Sequence, residues 1–221
     1  MRGVRGVVRR QVRRWQIELM TTLVLTIGLF PVWRAAPAFA QSALAGTAQN
    51  SVGVLVVVRP DGIEDRLQGK GSLQLFEGDV LRTEPASQAL IELRDGVKVA
   101  LNENTTFKIL SRWEKAKGTT RILRLRQGEI WVETGEGPKA LEVETPVATA
   151  AVRETEFNIK VQEDGQSILT VIKGIVEFGT AFGTCPIRTS TVSYGVRGKR
   201  CTKPAPVDVK PAIAWTNAVL Q

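Results

Sequence analysis

Between residues 51 and 179 apolar and polar positions alternate in short runs rich in Val, Ile, Leu and Thr, separated by Gly, Asp and Asn. A period of two marks half-buried strands, and the separators mark turns. The clearest unit is 88–101. Ala89, Ile91 and Leu93 point one way, Asp95-Gly96 supplies a two-residue hairpin turn, and Val97, Val99 and Leu101 return with the same alternation. Asn102-Glu103-Asn104 turns the chain again before a strand at 105–110. Residues 157–161 and 168–172 form a second hairpin around Glu163-Asp164-Gly165-Gln166. No segment after residue 40 sustains a long helical period. The pattern predicts one all-β domain of short antiparallel strands over 51–179.

Its flanks read differently. Residues 41–50 are small and polar and predict a flexible N-terminus. Residues 180–221 predict a hairpin around 187–194 and then an extended tail marked by Pro204, Pro206 and Pro211. Within it 212–220 reads as a short docking helix, with Trp215 packing on the β-domain; a partner-facing Trp215 is the alternative.

A weak repeat runs through the strands. Leu75-Phe-Glu-Gly78-Asp-Val80 matches Leu125-Arg-Gln-Gly128-Glu-Ile130 and Val171-Ile-Lys-Gly174-Ile-Val176, with the glycines 50 and then 46 residues apart. Glycine ahead of an apolar strand start suits a bend with unusual backbone angles. The recurrence predicts stacked or wrapped β-layers, a solenoid-like sheet.

The first forty residues change the picture. Arg2, Arg5, Arg9, Arg10, Arg13 and Arg14 precede an uncharged apolar run of 15 residues, 19–33, and Ala38-Phe39-Ala40 stands before Gln41. A basic segment, a short apolar segment and a small-x-small exit describe a secretory signal peptide, predicted as a helix over 1–40 and cleaved after Ala40. The general secretory route fits better than the twin-arginine route, because Arg13-Arg14-Trp15 is a loose match. The alternative is an uncleaved anchor, although a spanning helix needs about 20 apolar residues. The chain's net charge of +8 then loses its suggestion of nucleic-acid binding. Seven arginines and one glutamate belong to the leader, which leaves 23 basic and 21 acidic residues beyond it. Arg121, Arg124 and Arg126, interleaved with Ile122, Leu123 and Leu125, read as the wet face of a strand.

Cys185 and Cys201 are the only cysteines. In an oxidising compartment such a pair forms a disulfide, here closing a small loop and shaping the tail while leaving the β-core nearly untouched. Free thiols are the alternative. The chain has no histidine, so it lacks an imidazole base, a histidine metal ligand and the usual activator of a cysteine nucleophile. Two carboxylate pairs, Glu142 with Glu144 and Glu154 with Glu156, fit two-residue spacing on a strand face, an arrangement that glycoside hydrolysis uses; they read more simply as solvated faces. Asp61, Glu64 and Asp65 match no calcium-loop spacing, and Gly69-Lys70-Gly71-Ser72 lacks the frame of a phosphate loop. No enzyme, cofactor or metal site is expected.

Several ordered motifs carry a family resemblance. They are Glu77-Gly78-Asp79-Val80-Leu81-Arg82-Thr83, Ser87-x-Ala89-x-Ile91-x-Leu93, Asp95-Gly96, and Val99-x-Leu101. Further along come Leu125-x-x-Gly128-Glu129-Ile130-Trp131, Val143-x-Thr145-Pro146, Val152-Arg153-x-Thr155-Glu156-Phe157 and Val171-x-x-Gly174-x-Val176. Together, over residues 51–178, they resemble the FecR domain. Glu154 departs from the pattern, since the family places glycine between the arginine and the threonine. The resemblance implies a solenoid-like β-fold. It also implies kinship with periplasmic parts of membrane regulators that relay the state of an outer-membrane iron-siderophore receptor to a sigma factor. Those regulators carry an anti-sigma region before the membrane segment and a further small module after the β-domain. The short flanks here do not match either, so the resemblance implies the domain and not the whole signalling role. The expected function is an exported, non-enzymatic binding, sensory or scaffold component of the bacterial envelope, periplasmic or secreted, with an envelope protein or ligand as partner. The runner-up is a membrane-tethered regulator, which requires the leader to remain uncleaved.

Overall fold

The computed structural model of the chain describes residues 42–114, 118–135 and 140–220. The predicted signal helix and the cleavage residues Ala38, Ala40 and Gln41 lie outside the described residues. Fifteen strands are present among the described residues: β1 (Leu44–Val58), β2 (Glu64–Phe76), β3 (Val80–Thr83), β4 (Gln88–Leu93), β5 (Lys98–Leu101), β6 (Thr106–Glu114), β7 (Gly118–Glu133), β8 (Leu141–Glu144), β9 (Thr149–Val152), β10 (Glu156–Val161), β11 (Ser167–Lys173), β12 (Ile175–Thr180), β13 (Gly183–Arg188), β14 (Thr191–Gly195) and β15 (Ala205–Pro206). A four-residue helix, α1 (Lys210–Ile213), and a 3-10 segment (Ala214–Ala218) follow.

All fifteen strands share one hydrogen-bonded sheet that folds over itself into two layers. One layer runs β2–β1–β3–β6–β7–β8–β9–β12–β13, using residues 54–58 of β1 and 119–127 of β7. The other runs β2–β1–β4–β5–β7–β10–β11–β14–β15, using residues 44–52 of β1 and 128–133 of β7. The long strands β1, β2 and β7 belong to both layers. The circuit β7–β5–β4–β1–β3–β6–β7 therefore closes, and with both halves of β1 and β7 counted it is an antiparallel barrel of eight strand segments.

This corrects the solenoid expectation. A solenoid stacks open coils, whereas here antiparallel neighbours close on themselves; β7 with β8 is the one parallel pair among the described residues. The repeat glycines do share one geometry, with φ of 94° at Gly78, 91° at Gly128 and 90° at Gly174. They mark where the chain passes from one layer to the other, and not the start of a new coil.

Two flank expectations also change. Residues 44–50 belong to β1, with Ala45 and Ala48 fully buried. Their small side chains reflect close packing and not flexibility: a Cβ on Gly46 would come 2.4 Å from the carbonyl oxygen of Glu92 on β4. The strands on either side of Ser190 do not form a hairpin. β13 pairs with β12 in one layer and β14 with β11 in the other, so the connection is another crossing between layers.

The core fills the space between the layers. Leu81, Phe107, Leu123 and Phe178 face Ile91, Leu101, Phe157 and Leu169 within one cluster of buried side chains. The 88–101 hairpin has the alternation read from its sequence, with Ile91 opposite Val99 and Ala89 opposite Leu101. Leu93 is 2% exposed, while Lys98 is half exposed and only 3.6 Å from Glu133. Leu93→Ala should destabilise the protein by about 2–5 kcal/mol, and Lys98→Ala by less than about 0.5 kcal/mol. Urea unfolding midpoints measure both, and equal losses would contradict the observed register.

Candidate functional site

Most of the motif residues are tied into the fold by their side chains. The turn between β2 and β3 places Asp79 in the interior, fully buried. Its Oδ2 accepts the Phe76 amide at 2.7 Å and pairs with Arg59 Nη1 at 2.5 Å. Arg59 also pairs with Asp65 at 2.7 Å, donates to the Gln74 carbonyl at 3.0 Å, and lies over the Phe76 ring. Asp79 Oδ1 is buried without a partner. Burial pushes the Asp79 carboxyl above its ordinary value of 3.8, against the pull of the Phe76 amide and the Arg59 guanidinium. Arg82 is exposed and pairs with Glu64 at 2.8 Å. Asp95 accepts from Arg121 at 3.0 Å beside the Gly96 turn.

The threonines of the motif bind backbone. Thr83 Oγ1 accepts the Thr105 amide at 2.9 Å, and Thr134 Oγ1 accepts the Thr155 amide at 2.8 Å. Thr105 Oγ1 in turn accepts the amide of Glu129, the residue after Gly128, at 3.0 Å. A Cβ on Gly128 would lie 2.4 Å from the Thr105 backbone. Gly53 and Ser87 repeat the device, with Ser87 Oγ accepting the Val54 amide at 3.0 Å. Thr155 packs against Gly174 in the same manner, but its hydroxyl is buried without a partner. Thr145 Oγ1 accepts the Ala148 amide at 2.9 Å and the Ser167 hydroxyl at 2.7 Å. Phe157 is fully buried, and Trp131, 5% exposed, donates its indole N–H to Glu156 at 3.0 Å. Arg153 and Pro146 are exposed. Glu154 has φ of 49°, so the position where the resemblance expects glycine does adopt a left-handed backbone.

A cleft of about 930 Å³ lies at one end of the two layers. The 102–104 turn, the Gly128 bend and the 162–165 turn frame it, with Arg126, Pro146, Lys160 and Arg197 along its walls. Glu129 is its anchored carboxylate. It accepts Asn102 Nδ2 at 3.0 Å and Asn158 Nδ2 at 2.9 Å, and lies 3.6 Å from Lys160 Nζ. Two side-chain amides and an ammonium thus fix this carboxylate in place at the cleft.

The structure separates the other candidate groups. Glu142 and Glu144 share the outer face of β8, where each is paired with an arginine at 2.8 Å, Arg112 and Arg124. Glu154 sits in the bend ahead of β10, so it and Glu156 do not share a strand face. Arg121 turns inward to Asp95 while Arg124 and Arg126 point out, so the pleat of β7 divides the basic cluster. Glu64, Asp65 and Asp61 are engaged by Arg82, Arg59 and the Ile63 amide respectively. Among the described residues no group of three or more His, Cys, Asp or Glu side chains is placed to hold a metal ion. Cys185 and Cys201 are joined, with Cα atoms 6.2 Å apart. Both belong to the main core cluster, so the bridge is part of the core and is not confined to the tail. The hydroxyl partners Thr105 and Thr134 and the cleft residue Asn158 were not singled out by sequence reasoning, while Ser87 and Glu129 stood only as members of motifs. The available signal was that Thr105 and Thr155 recur 50 residues apart, the spacing of Gly78 and Gly128, with Thr83 and Thr134 51 apart.

Comparison with known proteins places this architecture. Residues 79–177 match the family model described as FecR protein. No curated protein matches the chain. Two crystal structures of a protein described as a "putative anti-sigma factor" from Parabacteroides distasonis ATCC 8503 share the fold, each with a TM-score of 0.52. They are 20% and 21% identical to this chain, and the likeness covers 62% of it and 63% of theirs.

Asp79 gives a signed pH dependence. Its folded state holds the proton more tightly than the unfolded chain, so its contribution is fully present below 3.8 and is lost as pH rises through the raised folded value. The stability of the wild type relative to Asp79→Asn should therefore fall as pH climbs from about 3 to about 7. Paired urea titrations measure the difference; a rise with pH would mean that the Arg59 ion pair outweighs desolvation.

Proposed function

We propose, on the match of residues 79–177 to the FecR family model, that the chain is a regulatory, non-catalytic component of the bacterial cell envelope. It is exported by its N-terminal leader and acts by binding an envelope protein or ligand. The FecR match carries this reading, and the likeness to a protein described as an anti-sigma factor supports it at the level of fold. The site chemistry agrees. The charged motif residues Asp79, Arg82 and Asp95 are paired within the protein, and the carboxylate at the cleft is held by amides. Such groups keep a scaffold in shape while its loops and faces meet a partner.

The membrane-tethered regulator is the second reading, favoured by the basic residues ahead of the apolar run 19–33. Among the described residues no helix is long and apolar enough to cross a membrane, and the run itself lies outside them.

The leader separates the two readings. Mass spectrometry of protein recovered from the envelope should find a chain beginning at Gln41. Ala40→Leu should block processing, because the peptidase accepts small side chains at that position. Wild-type protein that keeps its first forty residues in the membrane fraction would overturn export as a soluble chain and favour the tethered regulator.

A further inference from the structure

The outer face of the β4–β5–β7–β11 layer is apolar where a soluble sheet usually meets water. Leu90, Ala100, Trp131 and Ile172 form a patch there, and the C-terminal tail covers it with Ile213, Trp215 and Val219. Val219 is 1% exposed and Ala100 is fully buried. The attachment is apolar alone. Among the described residues every hydrogen bond made by 208–220 closes within the tail: Lys210 amide to Asp208, Ala212 amide to the Val209 carbonyl, Trp215 indole to the Ala212 carbonyl, Thr216 hydroxyl to the Ile213 carbonyl, and the Val219 and Leu220 amides to the Thr216 carbonyl. Neither short helical segment has a side-chain cap, and four or five residues do not hold a helix unaided.

The patch beneath needs nothing polar from the tail. The indole N–H of Trp131 is already donated to Glu156.

From these observations we infer that the outer face of β4–β5–β7–β11 is a protein-docking surface, and that residues 208–220 are its displaceable resident plug. The partner it fits is a short helical segment with a tryptophan and β-branched residues spaced as in Ile213, Trp215 and Val219. The inference goes beyond the regulatory reading and does not rest on it, because the packing is the same wherever the chain resides.

The probe is a labelled synthetic peptide of residues 208–221, titrated against the full chain, since the tail's own sequence is the one occupant the structure identifies. In the wild type a tethered tail at an effective concentration on the order of millimolar keeps the peptide out. Trp215→Ala and Val219→Asp in the full chain weaken the plug, and each should bind the peptide at least about ten-fold more tightly than the wild type. Adding Ala100→Arg to Trp215→Ala should abolish that binding. Hydrogen exchange provides the fold control: amides of β4 and β5 should stay protected in all variants while 208–220 opens. Peptide binding no tighter than in the wild type, with β4 and β5 still protected, would overturn the inference. Loss of protection across β4, β5 and β7 in both plug variants would also overturn it, because the tail would then be a fixed part of the core.

Discussion

The fold depends on hydroxyl groups closed against glycine bends. A strand that serves both layers must turn sharply without losing its hydrogen bonds. β7 does this at Gly128, whose φ of 91° brings its Cα against the Thr105 backbone. Thr105 Oγ1 then takes the Glu129 amide that the bend would otherwise leave open. β1 makes the same turn at Gly53 against Ser87. An amide buried without a partner costs about 1–3 kcal/mol, so each hydroxyl decides whether a bend is tolerable. Because β1 and β7 supply both halves of the closed circuit, these two bends connect the two layers into one barrel.

The opposite edge is closed by different chemistry. There the layers end in β13 and in β14 with β15. Cys201 is bonded to Cys185 of β13, and its neighbour Thr202 exchanges hydrogen bonds with Ser193 and Tyr194 of β14. Two consecutive residues thus bridge the layers. Loop-closure entropy gives the disulfide a contribution of about 3 kcal/mol in the chain-entropy model. A barrel tied at both edges is a rigid platform, and its apolar outer face and its cleft are the surfaces left for recognition.

The strands were legible because their burial is one-sided. The 88–101 hairpin could be read to its register, since alternation and Asp95-Gly96 both specified it. The glycine repeat was legible as a pattern but not as a geometry: glycine spacing alone does not distinguish a new coil from a crossing between layers, and that difference separates a solenoid from a closed barrel. Residues 44–50 were misread because small side chains mean flexibility when alone and close packing when another strand lies 2.4 Å from a would-be Cβ. The bridge was legible as a pair, but its place in the core was not, because β13 and β14 join different layers. The cleft around Glu129 is assembled from three turns distant in sequence, and no local pattern announces it.

The central claim is that hydroxyls closing the two glycine bends join the two layers, and native-state hydrogen exchange of Thr105→Val, at the Gly128 bend, tests it most directly. The substitution keeps the shape of the side chain and removes the acceptor for the Glu129 amide. The account predicts a stability loss of about 1–3 kcal/mol, with protection falling together in β3 and β6 of one layer and in β5 and β10 of the other. A loss below about 0.5 kcal/mol, or loosening confined to one layer, would contradict it.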